Sequence, residues 1–159
     1  MSRIDNIANF AQRKEEERVA AEIALQQKIE DYKIQIRALK PRIDELIKVG
    51  NACLEYNIPL EGSSWGGHEG YDTHQFFTNS WSHLVGFVSN KNRPVTHLGI
   101  RAGGACGVWD FYTNGVDIYD AHEKTGEVVP PNIHHMKHFI NKFNQFESEF
   151  YKYVDSLTK

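Results

Sequence analysis

The sequence predicts an α+β protein: a long, kinked N-terminal amphipathic helix, an antiparallel β-meander of four to five strands, and an amphipathic C-terminal helix. Three observations carry this. Helix formers with a 3-4 apolar repeat fill most of the first 57 residues, Asn114-Gly115 sits between two alternating runs, and large aromatic residues recur at helical spacing after residue 132.

Between Ile4 and Asn57 the one glycine is Gly50. From Ile29 the apolar positions run Ile29, Tyr32, Ile36, Leu39, Ile43 and Leu46, with Gly50 and Cys53 in the same phase. The steps alternate three and four, which is the heptad seam of helix-on-helix packing. Upstream the stripe continues less cleanly through Ala8, Val19 and Ile23 around the charged run Arg13 to Arg18. Residues 1–18 are therefore expected to fray or to be solvated on all sides. Pro41 removes an intrahelical hydrogen bond and disfavours α geometry at Lys40, so a kink or break is expected there. Asn57 and Pro59 end the element.

Length then becomes an argument. The 39 residues from Val19 to Asn57 span roughly 58 Å as a helix. A body of ~100 residues has a radius of gyration of about 13 Å. A straight helix overhangs such a body, so either Pro41 folds it back into a hairpin or a second subunit covers the stripe. Residues 1–58 are read as a helical oligomerisation segment with Ile29, Tyr32, Ile36, Leu39, Ile43 and Leu46 at its seam. That seam is shared between the C-terminal helix and a neighbouring copy, in a dimer or larger assembly. Residues 59–159 are read as a compact sheet domain closed by a helix over 132–157.

In the middle segment, Val108-Trp-Asp-Phe-Tyr-Thr, Asn114-Gly115 and Val116-Asp-Ile-Tyr form the clearest hairpin signal, since an Asn-Gly turn tolerates positive φ. Strands are expected at 74–79, 82–89 and 95–101, with Ser89 to Pro94 as a turn. The last segment opens on Pro130-Pro131-Asn132, a helix start, and continues with Met136, Phe139, Phe143, Phe146, Phe150, Tyr153 and Leu157. Four phenylalanines on one stripe demand cover from the sheet, the first helix, or both.

Composition narrows the function classes. Hydrophobic residues make up 40% and charged residues 25%, ordinary values for a folded soluble chain. No apolar run approaches the ~20 residues that cross a bilayer, and the N-terminus lacks the pattern of a signal peptide. Cys53 and Cys106 make no disulfide framework, so the cytoplasm is the expected compartment. Residues 1–58 carry ten basic and ten acidic side chains, residues 59–131 four and eight, and residues 132–159 four and three. No segment has the basic excess that phosphate-backbone binding requires, which argues against nucleic acid as a partner.

Eight histidines raise the question of a metal. His134 and His138 stand i, i+4 on the last helix, but no ligand at a suitable spacing completes a site and His-Glu-x-x-His is absent. Neither a metal nor a cofactor is expected. His83 and His97, on predicted strands near Asp110, could form a hydrolase-type acid–base pair if the register joined them. Nucleophile-elbow, Walker and Cys-x-x-Cys motifs are absent.

Two glycine-rich stretches weigh more. Glu61 to Tyr71 holds Trp65, Gly66, Gly67, His68 and Tyr71, and a long loop bearing aromatics suits a protein partner. Arg101 to Gly107, with His97 nearby and Gly103 and Gly104 within it, could cradle an anion in its backbone NH groups or be a wide hairpin turn.

The layout, a coiled-coil-like helix ahead of a small acidic β domain, resembles that of some phage-encoded proteins that block bacterial defence systems. The resemblance is architectural and rests on no motif; it implies binding over catalysis. The expectation is a non-enzymatic oligomeric binding protein, an inhibitor of another protein. A protein that sequesters or senses a small anion is the alternative, and a His/Asp hydrolase the third reading.

Overall fold

A computed structural model describes residues 2–60, 73–76, 85–90, 94–102, 109–122 and 125–158, with backbone alone at 73–76, 89–90 and 101–102. Helix α1, Arg3–Ala38, starts on a capping box. Ser2 Oγ accepts from the Asp5 N–H at 3.1 Å and the Asp5 carboxylate accepts from the Ser2 N–H at 3.1 Å, which satisfies two orphan donors of the first turn. Every side chain from Ser2 to Lys28 is exposed, so the charged stretch is helical and solvated on all sides. Ion pairs Lys14–Glu17, Arg18–Glu15 and Arg18–Glu22 line it.

The kink expected at Pro41 is a narrow break. Leu39 alone leaves the helix, its N–H turning back to Ile36 O at 3.0 Å, and α2 (Lys40–Glu55) follows at once. Pro41 falls in the first turn of α2, where its missing N–H has no partner to lose. Helix α2 ends in a Schellman motif: Asn57 takes φ +59°, Ile58 N–H bonds Cys53 O at 2.8 Å, and Asn57 N–H bonds Leu54 O at 3.3 Å.

The sheet is an antiparallel meander in chain order, β1 (Thr73–Phe76), β2 (Val85–Asn90), β3 (Val95–Ala102), β4 (Trp109–Thr113), β5 (Ile118–His122) and β6 (Val128–Val129). The expected antiparallel meander forms, and among the described residues it includes a sixth, two-residue strand at its edge. A two-residue strand shows no alternation in sequence, and β6 is held by pairing with Asp120 and Ala121. The hairpin at Asn114-Gly115 forms, with a different turn. The loop is Asn114 to Asp117; Gly115 has φ +87°, whereas Asn114 is not among the positive-φ residues. Asn114 acts through its side chain, Oδ1 accepting from the Val116 N–H at 2.9 Å and the Asp117 N–H at 2.7 Å. Gly115 also packs on the helix break. A Cβ there would lie 2.8 Å from Lys40 Cβ, so the hairpin tip seats against the first residue of α2.

One sheet face holds the core. Val85, Phe87, Leu98, Ile100 and Phe111 meet α3 (Ile133–Thr158), which supplies Met136, Phe139, Phe143, Phe146 and Phe150, all buried. Phe87 packs edge-on to Phe146 and Phe150, with centroids 5.2 and 4.7 Å apart. Ile36, Ile43, Leu46 and Cys53 enter the same cluster, with Ile29, Tyr32 and Leu39 partly buried against it. From Ile29 onward the chain's own sheet and α3 fill the heptad seam. Asn51 and Arg42 fasten α2. The Asn51 amide bonds both the N–H and the C=O of Val95, at 2.6 and 3.0 Å. Arg42 grips Glu147 through two nitrogens and lies 4.8 Å over the Phe143 ring.

Candidate functional site

Among the described residues, chemistry-bearing side chains gather in two places. The first is the sheet face away from the helices, where Val88, Tyr112 and Ala121 form a small buried cluster with Tyr119 against it. Gly99 lets this cluster close: a Cβ there would stand 2.7 Å from Phe111 O and 2.8 Å from Val88 Cγ2. His97 lies opposite Val88 and meets the Tyr119 ring edge-on at 5.8 Å. Its Nδ1 is 2.8 Å from Thr96 Oγ1, and its Nε2 is buried without a hydrogen-bond partner among the described residues. Burial pushes its pKa below the ordinary imidazole value, with the Asp117 charge opposing.

Asp110 is wholly buried, with Oδ2 accepting from Tyr112 OH at 3.4 Å. The register places it opposite Arg101, four residues along β3 from His97. Four residues of strand span roughly 13 Å, beyond hydrogen-bond reach or one bridging water. Thus His97 and Asp110, candidates for an acid–base pair, do not form one.

The second place joins β5 to the start of α3. Asp120 is 3% exposed, and its Oδ2 accepts from the Asn132 N–H at 3.1 Å and lies 2.8 Å from His135 Nδ1. Asn132 in turn accepts from the His134 N–H through Oδ1 at 2.8 Å. Together they satisfy N-terminal donors of α3. A carboxylate on one imidazole nitrogen orients the ring and leaves the other for proton transfer. Among the described residues no serine, cysteine or lysine hydrogen-bonds His135, and the pair reads first as a bolt between strand and helix. Burial lowers the pKa of His138, with Lys142 and His135 adding to the effect, while His134 is exposed. Among the described residues no three His, Cys, Asp or Glu side chains come together as metal ligands.

Sequence patterning did not reveal the Asp120–His135 pair, because a turn, β6 and Pro130-Pro131 separate the two and only the fold joins them. The one available signal was Asp120 itself, an acid sharing strand parity with Ile118, which packs against the helix-side core. Trp65, Gly66, Gly67, His68, Tyr71, His83, Gly103 and Gly104 lie outside the described residues, and Arg101 is placed by its backbone alone.

The described surface also offers an arm. Ile4, Ile7, Phe10, Ile23 and Leu25 on α1 are between 47% and 78% exposed. Among the described residues no helix is long and apolar enough to cross a membrane.

No family model, curated protein or solved structure matches this chain.

Proposed function

We propose that the protein is a non-enzymatic, oligomeric binding protein in which the N-terminal part of α1 joins copies and the sheet domain engages another protein, acting as its inhibitor. The observation that carries this reading is the arm: 27 consecutive side chains, Ser2 to Lys28, are exposed on a helix that carries large apolar residues. Most helical stability in proteins comes from packing an apolar face rather than from propensity, and among the described residues nothing covers this stretch. The separation of His97 from Asp110 weighs further against catalysis. The inhibitory role and the docking loop around Trp65 and Tyr71 rest on sequence and on the architectural resemblance.

Deleting residues 3–26 tests the assembly. The intact chain is expected to scatter light as a multiple of its 18.3 kDa, and the shortened chain as a folded monomer with unchanged near-ultraviolet circular dichroism. Equal stoichiometry for both overturns the arm's role. Replacing Trp65 and Tyr71 with alanine is expected to abolish partner capture without unfolding the sheet.

A second reading keeps one supporting observation. The buried Nε2 of His97, without a partner among the described residues, suits a small ligand bearing a hydrogen-bonding anionic group near β3. Native mass spectrometry of protein from cells is expected to show a retained small molecule under this reading, and a clean apo mass counts against it.

A further inference from the structure

We draw no further inference here: the strongest candidate, the Asp120–His135 pair with His138 one turn further along α3, belongs to the strand-to-helix bolt already described, and among the described residues no three such side chains come together as metal ligands.

Discussion

His97 holds a buried nitrogen that has no partner among the described residues, and burial lowers its pKa. The sign of the consequence follows from linkage. The unfolded chain binds a proton near the ordinary value of 6.5, while the folded chain resists it to lower pH. His97 thus costs no stability above that value, and its penalty grows as pH falls through it; His138 acts in the same direction. Urea midpoints are expected to fall between about pH 7.5 and about pH 5.5, before most carboxylates titrate. His97→Gln is expected to flatten that slope. A midpoint independent of pH, or the same slope in the variant, would remove His97 as its source. Asp120 works differently at this scale: its charge is spent on the first turn of α3, holding Asn132 and His135 together.

The elements are joined by a few polar fasteners laid over an aromatic core. The strand register shifts between Val88 and Ser89, and Asn51 of α2 takes up both backbone groups of Val95 beside that irregularity. Asn51→Ala leaves a part-buried N–H and C=O without these partners, which costs about 1–3 kcal/mol. Chemical denaturation is expected to show this loss with an unchanged slope; a change under about 0.5 kcal/mol would mean that water replaces the amide fully. The hairpin tip at Gly115 abuts Lys40, so the β4–β5 turn and the α1–α2 break are one structural feature. The seam residues Ile36, Ile43 and Leu46 were legible as a buried stripe from spacing alone. Periodicity offers the seam to the Phe-rich C-terminal helix and to a neighbouring copy alike; that the chain's own sheet joins α3 over it is visible only in the fold.

At the scale of the molecule, a packed body carries an exposed helical arm. Stability differs along such a chain, because the arm lacks the apolar burial that holds α2 and α3 in place. Paired arms should therefore melt with dilution by mass action while the body persists. Far-ultraviolet helicity is expected to fall as concentration drops from tens of micromolar to tens of nanomolar, with near-ultraviolet signals of the core unchanged. Helicity that stays constant over that range would show that the arm stands without a partner.

Periodicity determined the three helical stretches, the break near Pro41, the hairpin at Asn114-Gly115 and the buried face of α3, because each is a local pattern that must be buried or capped wherever the chain folds. Leu39 alone leaves the helix and Pro41 sits in the following first turn, as proline chemistry requires. Tertiary structure alone decided the rest. It set Asp110 opposite Arg101 and away from His97, brought Asp120 to His135, and added β6 to the sheet edge. It also covered the seam from Ile29 onward and left the side chains from Ser2 to Lys28 exposed. The reason is the same in each case: a residue's spacing sets which face it occupies, whereas strand register and the path of the chain set what meets that face.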